Sequence, residues 1–376
     1  MHRITLAIAL PLLLSACGNS DARKLEAGAP FTMTEIARFD EPWAMVFLPD
    51  GRALVTEKAG ELILWSGKGP TKVSVSGTPK PVYGGQGGLG DVILHPQFAT
   101  NGIIYLSWIE GERGGLGAVV GRAKLVEEGG AARIEDISIV WRQAPKVSGR
   151  GHFGHRIAFG PDGMLYISSG ERQKFDPAQD MSVNLGKVIR LKDDGSIPSD
   201  NPFHAKGGVT AQIWSLGHRN PLGLAFAPDG TLWDSEMGPA GGDELNLVKR
   251  AANYGYPKVS NGSHYDGRDI PDHSPADGFA APKAWWNPSI SPGSLMIYSG
   301  SMFPQWKGDA FIGALSGAAL IRVDLNGENA AKADAWDMEM RVREVEQGPD
   351  GAIWLLEDGD NGRLLRLTAK ASPADK

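Results

Sequence analysis

The sequence predicts an all-β protein, a six-bladed β-propeller of four-stranded antiparallel blades spanning residues 35–370. Three observations carry that reading. An apolar run, a Pro-Asp-Gly turn and a second apolar run recur along the chain. Stretches with helical periodicity are rare. The composition, with 50 Gly, 25 Pro and 11 Trp in 376 residues, is one of many turns and short strands.

The repeats run in order. "MVFLPDGRALVTE" starts at Met45, "IAFGPDGMLYISSGE" at Ile157, "LAFAPDGTLWDSE" at Leu224 and "VEQGPDGAIWLLED" at Val345. Pro presets the first φ of the turn and Gly accepts a positive φ, so each copy reads as a hairpin. "LHPQFATNGIIYLSW" from Leu94 and "MFPQWKGDAFIGAL" from Met302 read as copies with longer turns. Six hairpins mean repeated antiparallel sheets, and packing them in a circle leaves few exposed edges. A β-sandwich or a two-domain all-β protein is the alternative. The chain is longer than six compact blades need, and residues 255–289 are the obvious insertion.

The N-terminus reads differently. His2 and Arg3 precede an apolar run from Ile4 to Leu14, which is too short to span a bilayer. Residues 1–16 are expected to be a signal peptide of lipoprotein type, because "LSAC" (14–17) resembles a lipobox with Cys17 as the lipidated residue. An ordinary signal peptide with a chance cysteine is the other reading. Residues 17–34 read as a tether. Cys17 is the single cysteine, so no disulfide or thiol chemistry is expected in the folded part. The expected location is the periplasmic side of a bacterial membrane, lipid-anchored or soluble. The net charge of −6 argues against nucleic-acid binding.

Five stretches combine charge with unusual polarity. "YGGQGGLGDVILHP" (83–96) sets Gln86 in a glycine-rich loop that lets backbone approach a ligand, though by itself a tight turn is the favoured reading. "GHFGHRIAFGPDG" (151–163) carries two histidines, His152 in a loop and His155 on the incoming strand. His155, Ile157 and Phe159 are expected to share one strand face and pack between blades. "SLGHRNPLGLAF" (215–226) places Arg219 and Asn220 before a proline, suited to a planar anion or to a structural ion pair. "SEMGPAGGDELN" (235–246) is rich in oxygen ligands of the kind Ca²⁺ takes, including Asp243 and Glu244; a solvated acidic turn is the bland reading. "MRVREVEQGPDG" (340–351) puts Arg341 and Arg343 on one strand face, where an anion between them would relieve their repulsion.

Taken together, "EPWAMVFLPDG", "GGQGGLGDVILHP", "HFGHRIAFGPDG", "GKVIRLKDDGSIPSDNPF", "LGHRNPLGLAF", "GPAGGDELN" and "RVREVEQGPDG" resemble, in that order, the soluble quinoprotein glucose/sorbosone dehydrogenases. The likeness runs from Pro42 to Leu367 and is nearest to the bacterial periplasmic aldose sugar dehydrogenases. It implies a six-bladed propeller holding pyrroloquinoline quinone (PQQ) and Ca²⁺. It implies cofactor contacts from Gln86, His152, Arg219, Asn220, Tyr265, Arg341 and Arg343. The carbonyls of Gly238 and Pro239 would hold a cofactor-bound calcium, and Glu244 with the Tyr254 backbone a second. The family pattern His-x-x-Gly-Arg makes His152 the base, with Arg156 setting the register and His155 standing where glycine is usual. Glu171 matches the acidic residue that orients that base. Ser316 stands where the family has a lysine, a loss expected to weaken PQQ binding by about 1–3 kcal/mol unless another basic residue reaches in.

The implied reaction is oxidation of an aldose at its anomeric carbon to a lactone, with electrons passed to an acceptor the sequence does not name. His152 serves as base and Arg219 with Ca²⁺ stabilises developing charge. The alternatives are a calcium-dependent propeller lactonase or hydrolase, and a non-catalytic propeller binding a sugar or a partner. Fold does not choose among them; His152, Arg219, Asn220, Arg341 and Arg343 together favour the dehydrogenase.

Overall fold

The computed structural model describes residues 28–112 and 114–370. The segments expected to be a signal peptide and lipobox lie outside these. The strand Phe31–Phe39 begins inside the segment read as a tether, so the boundary drawn at residue 35 falls within a strand.

Among the described residues the strands form four four-stranded sheets and one eight-stranded sheet. The larger sheet consists of two antiparallel meanders, running from Pro42 to Ser76 and from Leu89 to Arg142. They join through a short parallel pairing of Val75 and Ser76 with Ala132 and Arg133. The first strands of the successive meanders are Pro42–Phe47, Leu89–Leu94, Gly154–Phe159, Pro221–Phe226, Pro292–Ile297 and Val342–Gln347. Each touches the next, and the last returns to the first, so these strands line the axis of a closed propeller. The first and last described strands meet in one sheet, where Phe31–Phe39 pairs with Gly362–Ala369. Apolar clusters fill the spaces between sheets; one joins Trp43, Leu54, Trp108 and Leu222. Each fully buried Leu or Val there contributes about 1.5–3 kcal/mol.

The Pro-Asp-Gly turns repeat at the level of individual bonds. Gly51, Gly163, Gly230 and Gly351 donate to the carbonyls of Leu48, Gly160, Ala227 and Gly348 at 2.9–3.0 Å. Their φ angles are 87°, 73°, 87° and 79°, a region that favours glycine. The aspartates Asp50, Asp162, Asp229 and Asp350 each accept the amide two residues on. Each turn links the innermost strand to the second strand of its meander, as the repeat implied.

Arg156 sits on the axis and touches every other inner strand. It donates to Leu222 O at 2.7 Å, Gly293 O at 2.8 Å, Glu344 at 2.5 Å and Asp91 at 3.3 Å. Its guanidinium lies 4.0 Å from the Trp43 ring centroid.

Candidate active site

The loop before the strand Gly154–Phe159 brings His152 to one end of the axis. His152 is buried with φ +50°, an unusual conformation for a side-chain-bearing residue. Two contacts hold it. Gln86 Oε1 accepts its backbone N–H at 2.6 Å, and its Nδ1 forms a short hydrogen bond with Glu171 Oε1. The other Glu171 oxygen accepts the amides of Lys174 and Phe175. Burial lowers the His152 pKa below the ordinary imidazole value, against the opposing Glu171 bond. Burial acts to raise the Glu171 pKa, but the His152 bond and charge outweigh it, so the net shift is downward. The result is a neutral imidazole whose Nδ1 is committed to a carboxylate.

His155 departs from the expected alternation. Its φ is +65° and the pairing register breaks between Gly154 and Ile157, so it does not follow Ile157 and Phe159 along one pleat. It still packs between sheets, stacked on Trp43 at 4.8 Å with Nδ1 2.7 Å from Ser107 Oγ. Gly90 makes room for it; a Cβ there would lie 2.0 Å from His155 Cε1. Burial, then the Arg156 charge, pushes its pKa down to about 3.

Arg219 and Asn220 approach His152 from the next meander. Their amides donate to Glu236 Oε2 at 2.6 and 3.3 Å. Asn220 Oδ1 accepts the Gly154 amide at 3.2 Å. The Arg219 guanidinium donates to Met237 O at 3.0 Å and, weakly, to Tyr265 OH at 3.4 Å, while its buried Nε has no acceptor. Tyr265 is 77% exposed. His152, Glu171, Arg219, Pro239 and Tyr265 line one cavity with Phe175 and Tyr256. A second cavity is lined by Gln86, His155, Arg341, Arg343, Lys58 and Asp358.

The arginine pair is placed as the alternation implied, yet the anion between them is internal. Asp358 accepts from Arg341 Nε at 2.7 Å and from Arg343 at 2.7 and 2.9 Å. Burial acts to raise the Asp358 pKa, but the two guanidinium groups more than offset it and the net shift is downward. Mutual repulsion therefore does not require a ligand; both arginines still face the cavity.

The "GPAGGDELN" turn divides its acids. Asp243 is occupied, accepting from Gly238 N, Ser289 Oγ, Ile290 N and Ser291 N at 2.6–2.8 Å. This carboxylate braces two loops, which explains why it does not serve as the open oxygen ligand its composition suggested. Glu244 lies buried in a row with Asp234, Glu236 and Asn246 on paired strands. Asn246 Nδ2 donates to all three carboxylates. Burial, then the Glu236 charge, pushes the Asp234 and Glu244 pKa values well up. His218 Nδ1 is 3.0 Å from Glu236 and 3.2 Å from Asp234, and its ring stacks on Tyr254 at 4.6 Å. The Tyr254 hydroxyl itself donates to Leu247 O.

The Glucose / Sorbosone dehydrogenase family matches residues 39–366. The chain belongs to this family of oxidoreductases. Its relatives include an Escherichia coli protein named aldose sugar dehydrogenase YliI, 39% identical over 341 residues, covering 89% of this chain and 91% of that one. The solved apo-form of the soluble E. coli aldose sugar dehydrogenase superposes with a TM-score of 0.85 at 39% identity, over 90% of this chain and all of that one. A Streptomyces coelicolor aldose sugar dehydrogenase in its PQQ-bound form superposes with a TM-score of 0.76 at 28% identity, over 91% of this chain and 99% of that one.

In this glucose/sorbosone dehydrogenase the donor set fits a planar polycarboxylate. Lys58, Arg341 and Arg343 supply charge, and the Arg219 Nε lacks an acceptor. Among the described residues the buried side chains whose ligand atoms converge closely enough for a divalent cation are His218, Asp234 and Glu236, with Glu244 beside them on the paired strand. Ser316 points elsewhere, bonding Ser291 Oγ at 2.8 Å and Ser289 O at 3.3 Å. Lys58, 3.3 Å from Glu41, is the basic residue that reaches the cavity from another sheet. Sequence reasoning missed Lys58, Asp358, Phe175 and His218. His218 had a signal, since it directly precedes Arg219, and so had Phe175, four residues after Glu171; Asp358 lies 15–17 residues from its arginine partners and Lys58 comes from another sheet.

Proposed function

We propose that this protein is a PQQ- and calcium-dependent aldose sugar dehydrogenase that oxidises its substrate at the anomeric carbon to a lactone. The observation that carries the reading is the convergence of the His152–Glu171 pair, the unsatisfied Arg219 Nε and the Arg341–Arg343 pair around adjoining cavities. The PQQ-bound relative supports the choice of cofactor.

When bound, PQQ supplies an electrophilic carbonyl that accepts hydride. Arg341 and Arg343 would hold its carboxylates, with Lys58 adding a charge that Ser316 does not. Gln86, Asn220 and Tyr265 would fix its edges, and Arg219 would face developing negative charge. His152 Nε2 takes the proton of the anomeric hydroxyl, and Glu171 stabilises the imidazolium formed. The carbonyls of Gly238 and Pro239 would hold one calcium, and Glu244 with the Tyr254 backbone another.

We count the fold as six-bladed, treating the eight-stranded sheet as two blades joined by a short parallel link. We place the domain on the periplasmic side of a membrane, tethered by lipid on Cys17, with its electrons passed to an external acceptor. Among the described residues no helix is long and apolar enough to cross a membrane.

The test is dye reduction by metal-stripped protein with an aldose panel, titrating PQQ with and without Ca²⁺. Saturable activity needing both additions is expected. Absence of activity at every PQQ level, with no thermal stabilisation by PQQ, overturns the reading.

A further inference from the structure

The segment after Glu171 carries backbone strain beside the base. Arg172, Gln173 and Phe175 have φ of +64°, +58° and +63°. Phe175 combines its φ with ψ −85°, a sparsely populated conformation for a bulky side chain. The chain enforces this conformation. Arg172 is fully buried and donates to the carbonyls of Gly151, Leu116 and Gly149. Glu171 Oε2 accepts the Phe175 amide at 2.6 Å.

What the strain achieves is an aromatic ring held open. Phe175 is 41% exposed and lines the same cavity as His152 and Arg219. Its ring lies 5.5 Å from His264 and 6.4 Å from Tyr256, so the three rings form one wall. Strain of this kind persists only where surrounding structure over-determines it, and it concentrates at functional sites.

We propose that Phe175 is the platform on which the substrate ring stacks, and that the preferred substrates are aldopyranoses presenting an unbroken C–H face. The proposal rests on the dehydrogenase reading and adds a residue that selects the sugar. An aromatic face is electron-rich and attracts polarised C–H groups, whereas an axial hydroxyl on that face would be stripped of water without a partner. Glu171 ties this platform to the base. One of its oxygens orients His152 Nδ1 and the other fixes the Phe175 amide, so the stacked ring and the proton acceptor keep one register. Phe175 is thus a specificity residue, and Glu171 positions both it and His152.

The experiment measures KM and kcat for glucose with PQQ-loaded wild type, Phe175→Tyr, Phe175→Leu and Phe175→Ala, together with PQQ affinity by fluorescence quenching. Phe175→Ala is expected to raise KM by about tenfold or more with kcat nearly unchanged, the size of one lost substrate contact. Phe175→Leu should behave like Phe175→Ala, Phe175→Tyr like the parent, and PQQ affinity should be the same in all four. An unchanged KM in Phe175→Ala overturns the proposal. So does a fall in kcat at constant KM, which would mean the ring merely braces Glu171, or a parental KM in Phe175→Leu. Wild type that binds PQQ and oxidises aldoses leaves the dehydrogenase reading standing in all those cases; wild type that does neither overturns both.

Discussion

Arg156 and Arg219 are both buried near the axis, yet their surroundings are opposite. Arg156 spends its donors on four other inner strands and stacks over Trp43. Arg219 keeps one good side-chain bond, one long one and a buried Nε with none. A saturated guanidinium is a structural hub. An unsaturated one, beside a neutral histidine, is prepared for an acceptor that folding does not provide. Burial alone therefore does not separate scaffold from site; the state of the hydrogen bonds does.

The sharpest way to break this comparison is to truncate both. Arg156→Met leaves Asp91 and Glu344 buried without their cation, which should cost about 3–5 kcal/mol of folding stability. Arg219→Met removes few bonds and should cost about 1 kcal/mol or less. Its PQQ-dependent kcat should instead fall by about 10²–10³. Urea denaturation and dye reduction on both variants measure the two quantities. Equal stability losses would erase the distinction between hub and site.

His152 sharpens the site half. Replacing it with Gln should lower kcat by about 10²–10⁴ while the urea midpoint moves little. Because burial holds its pKa below the ordinary value, the neutral base persists on acidification past about 6.5 before activity falls. Glu171→Gln removes the negative charge that opposes this shift, so the acid limb of the pH–rate profile should move to still lower pH. A limb that moves upward would contradict the assigned pair.

How much of this contrast was legible in the sequence depends on distance along the chain. The Pro-Asp-Gly turns were legible because each is closed by residues within four positions of one another. His152, Glu171 and Gln86 were legible as a group only through the ordered motifs that resemble a family. Local chemistry alone left Gln86 as a turn residue. The Asp358 counter-ion, the Lys58 side chain in the cavity and the parallel link at Val75 were not legible. The last two depend on which sheets become neighbours, which no periodicity encodes, whereas Asp358 directly follows the strand that pairs with Val342–Gln347 in one hairpin, so there it was the register that the sequence did not show. The expected repulsion between Arg341 and Arg343 was real, but its resolution came from 15–17 residues downstream.

His155 tests the hub half through pH. Its folded pKa, about 3, lies below the ordinary 6.5, so between these values the unfolded chain binds a proton that the native state does not. Stability is then fully present above about pH 6.5 and declines by about 1.4 kcal/mol per unit on acidification toward 3. His155→Gln should flatten that decline, read as urea midpoints at several pH values. An equally steep decline in the variant would move the effect to other buried groups.

The smallest effects belong to the turns, and they carry the same contrast at low cost. Asp229 serves only its own turn, accepting Thr231 N at 2.9 Å and Thr231 Oγ at 2.6 Å. Asp162 makes the same turn bond but also accepts from Arg190 at 2.8 Å and from Tyr166 OH at 3.1 Å. Asp229→Ala should therefore cost about 1 kcal/mol, the loss of two local hydrogen bonds at an exposed site where water replaces them. Asp162→Ala should cost more, yet not the several kcal/mol of a broken buried pair, because Arg190 keeps Asp200 and Asn201 at 2.9 Å. If the two alanine variants prove equal in urea, the extra Asp162 contacts contribute nothing measurable. The repeat would then be energetically uniform, and only the axis would distinguish one blade from another.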